Sequence, residues 1–142
     1  MYVDYSLLMA DSRTMSSAST TVFGLKTIPI GTYNYKDIGK GKPIALVIVV
    51  ETAFASAGSA TETFNLLGHT GADLDSGTPI VLCSTAAIPY TSLTAGKVIV
   101  LPMPAGILEI TQVTLDYLGM KCLTAGATST AGVCSAFIAF NW

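Results

Sequence analysis

The chain has 142 residues, 51% of them hydrophobic and only 11% charged, with a formal net charge of −2. That length suits one domain around a single core, and seven basic residues with no basic stripe exclude a nucleic-acid binder. A charge content less than half the usual ~25% leaves a membrane protein, a secreted small-residue β protein, or a subunit whose surface is covered by neighbours.

The first residues, MYVDYSLLMADSR, mix aromatic, aliphatic and acidic side chains without a turn signal. Asp4 stands where a secretion signal carries basic residues, and the apolar part is too short for one. This segment, residues 1–12, is therefore expected to be an extended N-terminal arm that docks on a neighbour instead of its own core. Removal of residues 1–10 should leave the fold intact and weaken attachment to that neighbour.

From there the pattern is one of strands. β-branched residues and Thr, Gly and Pro punctuation recur roughly every 8 to 15 residues, while helical periodicity is almost absent. The predicted strands run from Thr20 to Leu25, Ile44 to Glu51, Thr61 to His69, Pro79 to Ser84, Lys97 to Pro102, Glu109 to Leu118 and Gly132 to Asn141. Between them lie the turn segments IPIGTYNYKDIGKGKP, ASAGSA, GADLDSGTP, SLTAG, PMPAG and LTAGATSTAG. The fold class is all-β, a sandwich or barrel. A membrane helix is excluded because a span needs about 20 apolar residues and the strongest run extends only from Ile44 to Val50.

Two strands carry more apolar surface than a solvated sheet needs. In VCSAFIAFNW one face is Val133, Ser135, Phe137 and Ala139, and the other is Cys134, Ala136, Ile138 and Phe140. A half-solvated strand alternates apolar with polar, so the outer face of this one is expected against another layer or another subunit. LVIVV, residues 46–50, raises the same expectation.

The motifs that resemble chemistry dissolve on spacing. Gly39-Lys40-Gly41-Lys42-Pro43 lacks the Walker spacing, and the segment after it is β-branched instead of helical. It reads as a turn into a central strand, with its lysines solvated. His69 is the one histidine and has no nucleophile motif to serve. Asp73-Leu74-Asp75-Ser76-Gly77 begins like a calcium loop, but the distal glutamate is missing, so these acids are expected to form turns. Cys83, Cys122 and Cys134 are odd in number, lie in apolar segments and show no C-x-x-C spacing. They are expected to be reduced and structural, in a protein made in a reducing cytoplasm. No catalytic residue, metal site or cofactor is expected.

The order of loops and strand ends carries a family resemblance. A short arm ends in Ala10-Asp11-Ser12, followed by the Thr/Ser-rich TMSSASTTVF, then Asp37-Ile38-Gly39-Lys40-Gly41 running into an apolar strand. After it come TAFASAGSATETFNLL, VIVLPMP, DYLGMKCL and TAGVCSAFIAF. This pattern, across nearly the whole chain, resembles the small jelly-roll cement or decoration proteins of tailed bacteriophage capsids. The resemblance implies an antiparallel jelly-roll sandwich without catalysis. It further implies a virion subunit on the outer face of an icosahedral head, where homo-oligomers near local symmetry axes tie major capsid proteins together. Neither nucleic acid nor membrane is an expected partner. Residues expected at a capsid or subunit interface are Tyr2, Tyr5, Leu7, Leu8, Lys36, Lys40, Lys42, Phe137, Phe140 and Trp142. The alternative is a carbohydrate-binding or adhesin-like sandwich, for which Tyr2, Tyr5, Tyr33, Tyr35, Tyr90 and Trp142 would supply aromatics.

Overall fold

Two antiparallel sheets packed face to face account for the apolar composition. The computed structural model describes residues 5–16, 21–30, 44–103 and 115–140. Its strands are β1 (Leu8–Thr14), β2 (Thr21–Phe23), β3 (Ile28–Pro29), β4 (Ile44–Ser56), β5 (Thr61–His69), β6 (Ile80–Ser84), β7 (Ile88–Pro89), β8 (Val98–Met103), β9 (Tyr117–Ala125) and β10 (Ser129–Phe140). Short 3-10 turns occupy Tyr5–Leu7 and Tyr90–Ser92. One sheet runs β1-β10-β4-β8; the other runs β2-β9-β5-β6, with β3 also pairing β9 and β7 also pairing β5. The expected β-sandwich is what forms. No helix among the described residues is long and apolar enough to cross a membrane.

The core lies between the sheets and follows the period of two. Along β4, Ile44, Leu46, Ile48 and Val50 point inward and are essentially inaccessible. From the facing sheet, Phe64 and Leu66 of β5 meet them together with Leu118, Met120 and Cys122 of β9. Phe54 and Phe64 meet edge to face, with ring centroids 6.3 Å apart and planes at 88°, the arrangement that aromatic quadrupoles favour. All three cysteines are free thiols, as expected. Burial pushes Cys83 up to about 11 and Cys134 up to about 12, and pushes Cys122 further still. Thiols held this far from ionisation are poor nucleophiles and poor metal ligands.

Three strand expectations need correction. Of the arm expected over residues 1–12, the part from Leu8 onward belongs to the sandwich. β1 pairs with β10 at the edge of its sheet, and Met9 and Ala10 lie in the main core. The apolar LLMA run that looked like material for a neighbour is consumed by the chain's own sheets. Second, β4 continues five residues past Glu51, to Ser56. Its exposed polar stretch ends at Phe54, which is buried again, and β10 pairs with it throughout.

Third, the strand expected over residues 109–118 lies mostly outside the described residues, and β9 covers Tyr117–Ala125 instead. Its whole length is zipped to β5, from His69↔Tyr117 to Thr61↔Ala125. The turn to β10 is correspondingly short, and Gly126 supplies its left-handed φ of 85°. β10 in turn starts earlier than expected and is irregular around Gly132, where the register against β4 shifts. Gly132 has φ 147°, and a Cβ there would come within 2.7 Å of the Phe54 ring. Only glycine lets the strand pass that ring.

Candidate functional site

The feature that sets this sandwich apart is the outward face of the β1-β10-β4-β8 sheet. Residues directly opposed in an antiparallel pair share a face. Leu8 opposes Phe137, Phe137 opposes Val47, and Val47 opposes Val100, which makes one apolar row across all four strands. A second row runs from Ser135 through Val49 to Val98, and a third from Ala139 through Ala45 to Pro102. These side chains point away from the core: Leu8, Val47 and Phe137 form a cluster of their own, with Val49 and Ala139 packed against it. The face is graded, since Leu8, Val47 and Phe137 are at most 8% exposed, whereas Val98 and Val100 on β8 stand 48% and 39% exposed.

β8 also forms one end of its sheet, and its run Val98–Met103 contains no charge. Soluble proteins usually blunt such an edge with charges, bulges or proline; here Pro102 is the one such device in the strand. An apolar plate whose last strand has no further partner among the described residues and carries no charge suits a protein neighbour.

One rim of the plate is polar and built across three strands. Glu51 on β4 accepts a hydrogen bond from Ser12 Oγ of β1 at 2.7 Å and another from Ser135 Oγ of β10. Ser135 Oγ also accepts from the Ser12 N–H at 3.0 Å. These bonds hold Ser12 at φ 43°, a left-handed conformation rare outside glycine. The donation by Ser135, and then by Ser12, holds the Glu51 carboxyl below the usual carboxylate range.

A lowered folded-state pKa stabilises the fold above the ordinary glutamate range, and that stabilisation is lost as pH falls through the folded value. The difference in urea midpoint between wild type and Glu51→Gln is thus expected to be full at neutral pH and to close below about pH 4. A constant gap at all pH values would show that the carboxylate charge has no part in it.

The polar groups suggested by the sequence do other work. His69 Nδ1 receives the Gly71 N–H at 3.0 Å, and Asp73 Oδ1 receives the Asp75 N–H at 3.0 Å. Both are turn contacts, as expected for the acids of this loop. A buried carboxyl that the sequence pattern did not signal is Glu62, inside the sandwich on β5. Its Oε2 accepts from Thr124 Oγ1 at 2.7 Å and from Cys122 Sγ at 3.2 Å, while Oε1 has no partner. The core seals it from any substrate, so its role is structural. Among the described residues no three metal-ligating side chains converge.

Of the residues expected at an interface, Leu8 and Phe137 lie in the apolar plate. Leu7 packs against the main core instead, because the 3-10 turn before β1 directs it there. Tyr2, Lys36, Lys40, Lys42 and Trp142 lie outside the described residues, as do the side chains of Tyr5 and Phe140. The plate also contains Val47 and Val49, whose strand LVIVV carried the same expectation of a covered outer face, and Val98 and Val100, which the expected interface did not include. The signal for them was available in LVIVV and VIVLPM, neither of which alternates with polar residues.

A family model, Bbp16, matches residues 9–138. The chain belongs to the Bbp16 family. The match takes in every strand from β2 to β9, nearly all of β1 and β10, and hence the whole apolar plate except Leu8 and Ala139. No curated protein matches this Bbp16-family chain. Among solved structures, a chain from "Structure of infectious bursal disease virus Gx strain" aligns over 93% of this chain at 16% identity, with a TM-score of 0.39. The alignment covers 30% of that chain, so the Bbp16-family chain spans less than a third of that neighbour's length.

Proposed function

We propose that this protein is a non-catalytic structural subunit of a virion: a cement or decoration protein that binds the outside of an icosahedral phage head and stabilises contacts between major capsid proteins. The observation that carries the reading is the apolar outer plate of the β1-β10-β4-β8 sheet, with Val98 and Val100 exposed at its rim. Apolar side chains left exposed on a sheet face, as Val98 and Val100 are, stay in water at the expense of hydration and gain on being covered. In this reading the exposed β8 side of the plate, Val98 and Val100, is what the shell or another copy at a local symmetry axis covers.

The jelly-roll form implied by the sequence resemblance is supported by strand order. Leaving aside the two-residue strands β3 and β7, eight of the ten strands remain, and their chain order across the sheets is 1-8-3-6 and 2-7-4-5. That order is the one expected of two Greek keys wound between two sheets, and it supports reading the sandwich as a jelly roll.

A cement subunit acts by linkage, since whatever binds the assembled shell and not free subunits stabilises the shell by mass action. Many modest contacts then reinforce one another. Because the plate is apolar, attachment is expected to persist at about 1 M salt, where the Debye length is roughly 3 Å and surface ion pairs are screened. The test is to omit the protein from heads, measure the temperature at which they rupture, and re-add it at low and high salt. Restored rupture temperature in both conditions supports the reading. Heads equally robust without the protein sink the cement role, and rescue at low salt alone transfers the contact to charged residues.

A further inference from the structure

We infer that the cavity lined by β1, β2 and the β5–β6 loop binds a carboxylate, gripped by Arg13, the chain's one arginine. The backbone is arranged to put that side chain there. Along β1, Ala10 opposes Ala136 and Arg13 opposes Cys134, so three residue steps on β1 match two on β10. The extra residue is a bulge at Ser12, locked by its hydrogen bonds to Ser135 and Glu51. Counted from Ala10↔Ala136, Ser12 would face Cys134 and Arg13 would lie outward; a first shift between Leu8 and Ala10 has already turned the alternation once, and the Ser12 bulge turns it back. With both shifts in place, Arg13 opposes Cys134 and shares its inner face, and bulges commonly set side-chain direction beside binding sites.

The guanidinium that arrives there is incompletely bonded. Arg13 Nε is buried and has no hydrogen-bond partner. Buried polar atoms are satisfied in the great majority of cases, and each exception calls for an explanation. A buried donor on a charged group is costly to leave unmet. The adjacent space is a cavity of about 660 Å³ that also meets Thr14, Thr21, Lys26, Asp73 and Asp75. The loop wall is fixed in place by Thr27 Oγ1 donating to the Ala72 carbonyl at 3.2 Å.

The chemistry of these walls selects the ligand. Guanidinium presents a planar fork that matches a carboxylate in two parallel hydrogen bonds. Phosphate would match it too, but Asp73 and Asp75 offset Arg13 and Lys26 in the same lining, and a cavity without net positive charge favours a monoanion over a dianion. The volume suits a group carried on a larger molecule rather than a lone ion. A glutamate or aspartate side chain presented by a protein neighbour fits both conditions, with the two aspartates left to meet donors on the same segment. This assignment stands apart from the capsid reading, because it can be tested on the isolated chain.

A single arginine gives a single Nε–Hε cross-peak in a proton–nitrogen correlation spectrum, so the site reports on itself. The experiment titrates the labelled protein with N-acetyl-glutamate N-methylamide, with the matching glutamine compound, with N-acetylglycine as a main-chain carboxylate, and with inorganic phosphate, all at one ionic strength. A saturable downfield shift with the glutamate compound in the millimolar range, and none with the glutamine compound, is expected. An equal response to N-acetylglycine also supports carboxylate binding and extends the source to chain termini. Arg13→Lys keeps the charge but loses the fork, and chemical shifts of neighbouring amides should show binding weakened about tenfold. No saturation with either carboxylate, an equal response to the glutamine compound, or tighter saturation by phosphate would each overturn the assignment. The wild-type titration decides the matter even if the variant fails to fold.

Discussion

Replacing Met9 with aspartate is expected to abolish folding, or to lower stability by at least about 4 kcal/mol, a large share of the roughly 5–15 kcal/mol that holds a domain together. Met9 is fully inaccessible and sits in the main core, although it belongs to the first strand and to the edge of its sheet. Its carbonyl accepts the Lys26 N–H at 3.1 Å, tying β1 to the segment after β2 in the other sheet. The substitution removes the packing of a large side chain and places an unpaired carboxylate between two apolar layers. Removal of residues 1–10 should act the same way, because it takes Leu8, Met9 and Ala10 together. Urea unfolding followed by circular dichroism measures both. A variant with an unchanged midpoint would mean that β1 detaches at little cost and that the N-terminal segment behaves as a free arm after all.

The second large effect is expected at the plate. Val98→Glu combined with Val100→Glu should leave the fold nearly as stable as wild type, since both side chains are substantially exposed and point away from the core. Their β-propensity loss is a fraction of a kcal/mol each. In an apolar contact the same two carboxylates must be buried without partners, at about 2 kcal/mol or more apiece. Together that is roughly a thousand-fold loss of affinity for whatever covers the plate. The readout is co-sedimentation with heads lacking the protein, alongside the urea midpoint of the free variant. Undiminished attachment by a well-folded double variant removes the β8 rim from the interface, and with it the observation on which the proposed function rests. A parallel change at Val47 would be less clean, because that residue is almost fully covered within its own cluster.

These two expectations depend on different kinds of information. The class of the fold was written in local pattern: β-branched runs of strand length, separated by Gly, Pro and Thr turns, admit sheets and little else. The strand Thr61–His69 was legible to the residue, because turn-forming clusters bound it on both sides. The two-faced apolar character of Val133–Phe140 was equally legible, and the structure bears it out: Cys134, Ala136 and Ile138 face the core, while Phe137 lies in the outer cluster.

What pattern could not supply is which strands lie beside which. Met9 is a core residue only because β1 closes the edge next to β10, a partner more than a hundred residues away in sequence. The apolar plate exists only because Val47 and Val100 oppose each other across β4 and β8. Arg13 faces inward opposite Cys134 after two register shifts along β1, and the second, at Ser12, is held by side chains from two other strands. Alternation within a strand is a local property of the backbone and can be read along the chain. Register between strands is decided by long-range pairing, in which a single-residue slip turns every side chain to the opposite face.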